Sequence, residues 1–366
     1  MDLPLAGVRV LDLTRVLAGP LCTMMLGDLG ADVLKIERPG GGDETRGWGP
    51  PFDPRGESAY FLAVNRNKLS AALDLDDGDD RLLLHRLVAG ADVVVDNFRP
   101  GGLERRGFDP NRLLAVHPRL LWCTLTGFGL DSPRPGYDFV VQAESGWMAI
   151  TGEPDGPPMK IGVALADVIA GKDAAVAILA ALAGRDRLSQ PAQRRLSVSL
   201  AHSAIAALVN VAQNALVSGE EPRRWGNAHP NLVPYQLFQT ADRPIVIAVG
   251  NDAQWQGCCR ALGRDDLAAE EGLATNAGRV RARERVIDAL GRTLAARAAA
   301  EWLERLGRHG VPAGIVRPVT EALGDVRADA DSGVAPLPPG AVRRRPPRLD
   351  QHGDAVRRHG WRAFEG

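Results

Sequence analysis

The chain has 366 residues, of which 45% are hydrophobic and 24% charged, and 44 basic against 45 acidic side chains give a formal net charge of −1. This composition is typical of a folded protein with a sizeable apolar core and excludes wholesale disorder. The near-zero charge argues against a dedicated nucleic-acid or anionic-membrane binder, because such proteins carry a basic excess. At roughly 100–200 residues per domain, the length predicts two domains, or one large domain with an insertion.

The first half of the chain alternates short β-branched runs with helical patterns. This alternation predicts an α/β protein with a mostly parallel sheet covered by helices on both faces. Ligands in such sheets bind beyond the carboxyl ends of the strands, where Gly- and Pro-rich loops occupy 38–51, 98–102 and 127–136. The predicted elements, in chain order, are the strand Val8–Leu13, the helix Ala18–Gly30, the strands Asp32–Glu37 and Ser70–Leu75, the helix Asp79–Val88, the strand Asp92–Asp96, a helix near Pro110–Val116 and the strand Leu120–Leu125.

The second half is richer in helical patterns. We expect residues near 222–308 to form a second, smaller domain, and we expect the Pro- and Arg-rich tail from Asp329 to be irregular and to lie over the surface. The predicted elements are a helix from Leu165 to about Gly184, a strand Arg195–Leu200, a helix Ala201–Val217, a hairpin Tyr235–Gly250, helices Asp252–Leu262, Val280–Ala296 and Ala299–Arg308, and a short strand Gly314–Val316.

Familiar cofactor and metal motifs are missing from the sequence. The loop 14–20 after the first strand has no GxGxxG, there is no Walker loop or HExxH, and neither the seven histidines nor the four cysteines have metal-ligand spacing. We therefore predict no metal and no permanently bound cofactor. The N-terminus lacks the basic region of a signal peptide, and charges interrupt the most apolar stretch, 163–183, so we expect a cytoplasmic protein.

Two aspartates stand out as candidates for chemistry. Asp167 lies in the otherwise apolar segment 161–171, where an unpaired charge is costly. It either caps a helix that begins at Val168, or it is a nucleophile or general base whose pKa its surroundings adjust. Asp138 follows a Pro/Gly loop and is most simply the N-cap of the helix that it opens. The spacing favours capping for Asp167 without excluding catalysis.

Several other charged or aromatic residues follow predicted strands. Arg38 either grips a phosphate or pairs with Glu37 or Asp43. In the run 96–102, Phe98 and a neighbouring arginine suit the two faces of a nucleotide base, and loop packing explains them about as well. Lys68 is interpreted as a solvated charge.

Taken together, several segments are similar to the class III coenzyme A transferases (CaiB/BaiF), the family of formyl-CoA, oxalate and carnitine CoA-transferases and α-methylacyl-CoA racemase. No single segment is decisive, and the likeness rests on their order and spacing over about 1–320. The segments are 8–20 (VRVLDLTRVLAGP), 27–39 (GDLGADVLKIERP), 41–49 (GGDETRGWG), 65–68 (NRNK), 96–101 (DNFRPG), 152–158 (GEPDGPP), 227–230 (NAHP) and 250–252 (GND).

The resemblance implies a fold and an assembly. The large domain would be Rossmann-like and built from 1–200 together with the returning segment 309–366, and a smaller α+β domain would occupy 222–308. The family forms interlocked homodimers whose chains pass through each other like links, so the resemblance also implies such a dimer.

The resemblance also implies a reaction and makes Asp167 its catalytic residue. The carboxylate would attack an acyl-CoA thioester, forming an aspartyl anhydride and then an aspartyl-CoA thioester, from which CoA passes to a free carboxylic acid. An apolar setting suits this chemistry because exclusion of water sharpens the nucleophile and protects the anhydride. Tyr137 and Asp138 would be further polar groups of the site. CoA would be a substrate, with the carboxylic acid as the second partner.

By the same resemblance, seven positions would line the CoA site: Val16, Ala18, Arg38, Leu73, Asn97, Phe98 and Arg105. One departure from the family is the acidic run 74–77, where relatives often carry a lysine, so that one phosphate contact would be lost or supplied by an arginine.

Two alternatives to CoA transfer follow from other departures. The racemases carry histidine where this chain has Tyr137, and a phenol with a pKa of about 10 is a poor base at neutral pH, so racemisation is the less favoured chemistry. The segment from about 327 to 343 is shorter than in relatives, which suggests a CoA-binding homologue without turnover as the second alternative.

Overall fold

The computed structural model describes residues 3–326 and 333–365. The described chain forms two compact units. The first comprises residues up to 148, 160–220 and those from 323 onward, and the second comprises 149–159 and 221–322. The domain bounds expected from the sequence stay a prediction. Of the segment expected to be shorter than in relatives, about 327–343, residues 327–332 lie outside the described residues.

The first unit contains a six-stranded sheet in which every neighbouring pair is parallel, with the order β3-β2-β1-β4-β5-β6. This confirms the predicted α/β class with its mostly parallel sheet. The order is that of the doubly wound dinucleotide-binding folds, and it reverses between β1 and β4, the point beyond which such sheets bind ligands. The strands are β1 (Arg9–Leu13), β2 (Asp32–Glu37), β3 (Lys68–Ala72), β4 (Val93–Asp96), β5 (Leu121–Thr126) and β6 (Arg195–Ser199).

Helices cover both faces of this sheet and form most of the second unit. They are α1 (Ala18–Asp28), α2 (Ala59–Leu62), α3 (Gly78–Ala89), α4 (Pro110–Val116), α5 (Asp138–Glu144), α6 (Trp147–Ile150), α7 (Leu165–Ala183), α8 (Leu200–Ala206), α9 (Asn210–Ser218), α10 (Asp252–Leu262), α11 (Asp265–Ala268), α12 (Asn276–Arg281), α13 (Arg283–Leu294), α14 (Ala299–Arg308), α15 (Val319–Leu323) and α16 (Gly353–His359).

Two apolar clusters lie on opposite faces of the parallel sheet. Val10 of β1 contributes to the cluster formed with α1 and α7, and its neighbour Leu11 contributes to the cluster formed with α3 and α16. Successive strand residues point to opposite faces, and a parallel sheet is buried on both. The near-continuous apolar runs of the strands follow from this arrangement.

The second unit has its own core around a three-stranded antiparallel sheet. The strands β7 (Tyr235–Phe238), β8 (Ile245–Ala248) and β9 (Ala313–Ile315) pair in that order. Trp255 and Trp302 are buried against them. Among the described residues, no single helix is long and apolar enough to cross a membrane. The pair α8 and α9 meets the length and composition criteria only when both are counted together, across a 71° bend.

Two predicted helices are interrupted. The prediction of one helix over Ala201–Val217 is wrong, because the chain bends at Val209, whose φ is +42°. Leu200 and Ala204 of α8 are buried, whereas α9 buries none of its residues. The apolar pattern continues across the bend, so the sequence does not reveal it. The predicted helix Val280–Ala296 is likewise divided at Ala282 into α12 and α13.

The C-terminal residues are more ordered than predicted. Residues 329–332 lie outside the described residues, but the rest of the tail includes α16 and a buried tryptophan, Trp361, whose indole N–H donates to the Leu87 carbonyl at 2.9 Å. The backbone N–H of His352 donates to the Ser70 carbonyl at 2.9 Å. The prediction of an irregular tail fits 333–352, which contain no helix or strand, and is wrong for 353–364, which are helical. This part of the tail covers the outer edge of β3.

Candidate active site

Asp167 is the third residue of α7, which begins at Leu165. The interpretation of Asp167 as the cap of a helix starting at Val168 is therefore wrong. The N-cap position belongs to Ala164, which has no side-chain oxygen and makes no side-chain capping bond. The first amides of the helix need another acceptor, because a helix leaves its first four N–H groups without an intrahelical partner.

Asp138 supplies that acceptor from a different helix. Its carboxylate accepts the backbone N–H of Ala166 at 2.8 Å and that of Asp167 at 3.4 Å. The prediction that Asp138 caps its own helix is wrong, since the N-cap of α5 is Tyr137 and Asp138 is its first helical residue. Two carboxylates therefore lie at the start of α7: Asp138 accepts the first amides of the helix, and Asp167 belongs to its first turn.

A close approach of two helices brings a further donor to Asp167. A Cβ at Gly171 would stand 2.6 Å from the Ala18 carbonyl oxygen, so only glycine allows α7 to lie this close to the start of α1. One turn earlier on α7, the Asp167 carboxylate accepts the backbone N–H of Ala18. This N–H is the first of α1 and has no intrahelical acceptor.

The surroundings of Asp167 shift its protonation toward neutral pH. Burial, and after it the negative charge of Asp138, raises the pKa of Asp167 to about 7, against the opposing effect of the Ala18 N–H. Desolvation and a like-charged neighbour both disfavour the ionised form of a carboxyl. A strongly perturbed carboxyl that also lines a cavity is a candidate for catalysis.

The loop between β1 and α1 adopts an unusual backbone conformation beside this carboxylate. Val16 has φ +73°, which a β-branched residue rarely adopts. Both oxygens of Asp43 accept its N–H at 3.2 Å. The side-chain amide of Asn97 bonds Arg15 on both sides, accepting its N–H at 3.1 Å and donating to its carbonyl at 2.8 Å. These contacts fix the strained loop at the switch point of the sheet.

A buried charge network lies beneath the loop. Lys35 donates to the Thr14 carbonyl at 2.7 Å and pairs with Asp43 at 3.1 Å. Lys68 is fully buried and pairs with Asp12 at 2.9 Å, so the interpretation of Lys68 as a solvated charge is wrong. Burial lowers the pKa of Lys68 to about 8, and the lysine remains a cation at neutral pH.

Two neighbouring cavities collect most of the residues expected at the CoA site. In the first, which we call the arginine cavity, Asp167 and Tyr137 occur with three arginines. The second, the outer cavity, has a volume of about 490 Å³. The arginine cavity is lined by Arg15, Val16, Ala18, Asn97, Phe98, Arg99, Arg134, Tyr137 and Asp167, among others; the outer cavity is lined by Leu13, Arg15, Arg38, Leu73, Asp74, Asp76, Phe98 and Arg106, among others.

Arg15 and Phe98 line both cavities, which makes the two spaces neighbours. Arg38 forms no ion pair among the described residues, because the carboxylates expected to pair with it have other partners: Glu37 binds Arg46 and Asp43 binds Lys35. Of the seven expected positions, Arg105 alone is not among the described residues that line either cavity. Its neighbour Arg106 lines the outer cavity and pairs with Asp76 at 3.2 Å.

Asp167 also borders a third space, the aromatic cavity, with a volume of about 300 Å³. Sequence reasoning missed Trp48, Tyr60 and Lys160 in it, although Trp48 stands in a recognised segment. Burial, followed by the charges of Asp167 and Asp138, raises the pKa of Tyr60 to about 12, so its phenol stays a proton donor. The cavity is lined by Val16, Trp48, Tyr60, Tyr137, Asp138, Phe139, Lys160, Gly162, Val163, Ala164 and Asp167.

The fold and site together define an α/β enzyme with a carboxylate at the switch point of a doubly wound sheet. Within the described residues, no group of three or more His, Cys, Asp or Glu side chains is placed to hold a metal ion. The family model CoA-transferase family III matches residues 5–359.

Relatives of known activity match along most of the chain. A succinate–glutarate CoA-transferase of Agrobacterium fabrum is 42% identical over 335 residues, covering 89% of this chain and 83% of its own length. A human succinyl-CoA:glutarate CoA-transferase is 41% identical, covering 85% and 71%. An acetyl-CoA:oxalate CoA-transferase of Acetobacter aceti is 37% identical, covering 97% and 95%.

Solved structures agree with these matches. A CaiB/BaiF family protein of Brucella suis has a TM-score of 0.86 at 39% identity and covers 98% of this chain and 99% of its own. The Mycobacterium tuberculosis protein Rv3272 has a TM-score of 0.82 at 30% identity, covering 96% and 99%. The chain belongs to CoA-transferase family III, and it is a CoA-transferase.

Proposed function

We propose that this enzyme moves CoA between an acyl-CoA and a small dicarboxylic acid, with Asp167 as the nucleophile. The carrying observation is the Asp167 carboxyl, whose pKa is raised to about 7 where the arginine and aromatic cavities meet. The dicarboxylic class is supported by the names of relatives, which act on succinate, glutarate, oxalate and mesaconate.

The reaction needs no water and releases no proton. The Asp167 carboxylate attacks the thioester carbonyl, the C–S bond breaks, and a mixed anhydride and the CoA thiolate result. The thiolate then attacks the aspartyl carbonyl of the anhydride, which expels the donor as a carboxylate and leaves an aspartyl-CoA thioester. The acceptor carboxylate attacks this thioester, and the same two steps in reverse form the new acyl-CoA and restore Asp167.

The neighbours of Asp167 suit these steps. A carboxylate with a raised pKa is more basic than an ordinary aspartate, and it is still ionised in a large fraction of molecules at neutral pH. The N–H of Ala18 lies at the close approach that Gly171 allows between α7 and α1, and it favours the ionised form of Asp167. The Tyr60 phenol adds a neutral donor to the aromatic cavity.

CoA is proposed to lie with its nucleotide in the outer cavity and its thioester in the arginine cavity. Arg38 has no ion pair among the described residues and is available for a phosphate. Arg106 lines the same space and would supply the contact that the acidic run 74–77 does not, in competition with its ion pair to Asp76. Phe98, shared by both cavities, then contacts the part of CoA that joins them.

The racemase alternative is not favoured. It needs a second base across the substrate α-carbon, and the residue at that place is Tyr137, a phenol that is 58% exposed. Retention of the α-proton of a 2-methylacyl-CoA in deuterated buffer is the expected result.

The interlocked dimer is a proposal as well. Its support is the apolar surface of α9 and the residues leading into it, where Val209, Leu216 and Val217 are 69%, 79% and 78% exposed. A second copy of the chain would cover this surface, since exposed apolar patches of this kind mark interaction sites. The cytoplasmic location stays a prediction.

Trapping of the intermediate tests the proposed function. Acyl-CoA and hydroxylamine together should convert Asp167 to its hydroxamate, which peptide mass spectrometry locates. Neither reagent alone should do so, and Asp167→Asn should give no adduct. Transfer of CoA by an enzyme that never forms this adduct would contradict the proposed role of Asp167.

A further inference from the structure

The aromatic cavity contains one cation among its described lining residues, Lys160. Two carboxylates, Asp138 and Asp167, and four aromatic rings make up much of the remaining lining. The Lys160 ammonium makes one hydrogen bond within the described chain, at 3.3 Å to the carbonyl of the next residue, Ile161. It is therefore free to bind an anion without breaking an ion pair.

Lys160 does not contribute to the shifted pKa of the reacting carboxylate. The pKa of Asp167 responds to burial, to Asp138 and to the Ala18 N–H, and Lys160 is not among its causes. The raised pKa of Tyr60 likewise responds to the nearby carboxylates and not to Lys160. Lys160 and Asp167 line the same cavity, so an anion bound at the ammonium would be the far end of a substrate whose near end is joined to Asp167.

Two arginines of the neighbouring arginine cavity are already engaged. Arg15 pairs with Glu44 at 3.0 Å, and Arg134 pairs with Glu144 at 2.5 Å. An anion that bound either one would have to compete with a carboxylate. Arg99 lines the same cavity without an ion pair among the described residues, and it is the rival candidate.

We propose that Lys160 binds the second carboxylate of a dicarboxylic substrate and so selects dicarboxylic over monocarboxylic acids. This rests on the proposed function, because it assumes that the first carboxylate reacts at Asp167. A second negative charge beside Asp138 and Asp167 is unfavourable unless a cation compensates it.

The test compares two acceptors of equal chain length, glutarate and pentanoate, with succinyl-CoA as the common donor. Because the acceptor reacts with the aspartyl-CoA form of the enzyme, its kcat/KM does not depend on the donor. The quantity measured is the ratio of kcat/KM for glutarate to kcat/KM for pentanoate. The variants are Lys160→Met, which keeps the length of the side chain, Lys160→Arg, which keeps the charge, Arg99→Met, and Arg112→Met as a control for loss of a surface cation.

Lys160→Met should lower the ratio by about 10- to 100-fold, the discrimination expected from one hydrogen bond to a charged group. The loss should fall on KM for glutarate and leave pentanoate within about threefold, since that acid brings no second charge. Lys160→Arg should keep most of the ratio. Arg112→Met should keep all of it, because this arginine of α4 is 90% exposed and pairs with Asp109, the N-cap of the same helix.

Three results would overturn the proposal. A fall in kcat/KM by the same factor for both acids in Lys160→Met would make the lysine structural. Unchanged kcat/KM for both acids would remove the lysine from the site. A loss in Arg99→Met with none in Lys160→Met would move the subsite to the arginine cavity. Each result leaves CoA transfer through Asp167 intact, whereas loss of the proposed function shows separately as wild-type protein that forms no hydroxamate.

Discussion

Asp12 and Asp167 lie at the two sides of the same loop and have opposite electrostatic surroundings. Asp12 in β1 is fully buried and receives bonds from Lys68 at 2.9 Å and from Thr23 at 2.8 Å. Burial alone would raise its pKa, but Lys68 and Lys35 hold the pKa well below its usual range. Asp167 faces Asp138 and one backbone N–H, and its pKa is raised to about 7.

The difference separates a structural carboxylate from a reactive one. Asp12 is permanently ionised and joins β1 to β3 through Lys68, so its charge serves the packing of the sheet. Asp167 has no cation among the causes of its shifted pKa, and its charge is therefore costly in the resting protein. Substitution of Asp167 should accordingly lower activity and raise stability, whereas substitution of Asp12 should lower stability.

The largest effect is expected on activity. Asp167→Asn should lower kcat for CoA transfer by at least about 10⁴-fold, because it removes the nucleophile and leaves no alternative route through the anhydride. Steady-state transfer assays measure this. Asp186→Asn, the same change at a carboxylate that is 89% exposed, is the control and should retain activity. Residual transfer above one per cent in Asp167→Asn would break the contrast between the two aspartates.

The next largest effect is expected on stability at Asp12. Asp12→Asn leaves the buried Lys68 ammonium without its carboxylate, which should lower the free energy of unfolding by about 3–5 kcal/mol. Chemical denaturation at pH 7 measures the change. The double variant Lys68→Met/Asp12→Leu removes both charges, and we expect it to lose less free energy of unfolding than Asp12→Asn. An equal loss in the double variant would show that the unpaired charge is not the cause.

Asp167→Asn should act on stability in the opposite direction. The folded pKa of Asp167 is about 7 and its ordinary value 3.8, so the folded protein binds the proton more tightly and loses stability as pH rises between these values. The variant should therefore gain about 4 kcal/mol over wild type at pH 8 and little at pH 4. Denaturation of both proteins at the two pH values decides it, and a pH-independent difference would contradict the raised pKa.

The smallest effect is expected from the neighbour of Asp167. Asp138→Asn keeps an oxygen for the Ala166 N–H but removes the negative charge that raises the pKa of Asp167. In wild type, kcat/KM should rise with pH through about 7, since only the ionised carboxylate attacks. The variant should shift this midpoint down by about one pH unit. A pH–rate profile measures it, and an upward shift would show that Asp138 acts in another way.

Much of the fold could be predicted from local patterns. Several strands of the parallel sheet are short apolar runs, and the prediction of β1, β2, β4 and β5 is within one residue of the structure at each end. The bend at Val209 escaped prediction because apolar residues on both sides continue one helical pattern, and burial alone distinguishes them. The order of the helices and strands can be predicted from the sequence. Which residues of a helix become buried depends on the assembled core and cannot be predicted in the same way.

The site was predictable in its residue types and not in its contacts. Asp167 stood out as a charge in an apolar segment, but its raised pKa depends on Asp138, 29 residues earlier in the chain. The pairing of Lys68 with Asp12 spans 56 residues and follows from the register of three parallel strands. Neither spacing has a local signature, so the residue pattern alone favours capping for Asp167 and a solvated charge for Lys68, and only the family resemblance makes Asp167 catalytic.

The first unit can be completed only late in synthesis, because the segment from 333 to 365 packs against residues that are translated early. The N–H of His352 reaches β3, and the indole of Trp361 reaches the end of α3, both in the part of the chain that is translated first. A ribosome must therefore deliver all of 221–322 before the first unit can acquire its last pieces. Until then the outer edge of β3 is open, and an open strand edge is a template for pairing with other chains. A nascent chain halted near residue 320 should aggregate or recruit chaperones, although its six-stranded sheet is already encoded in full.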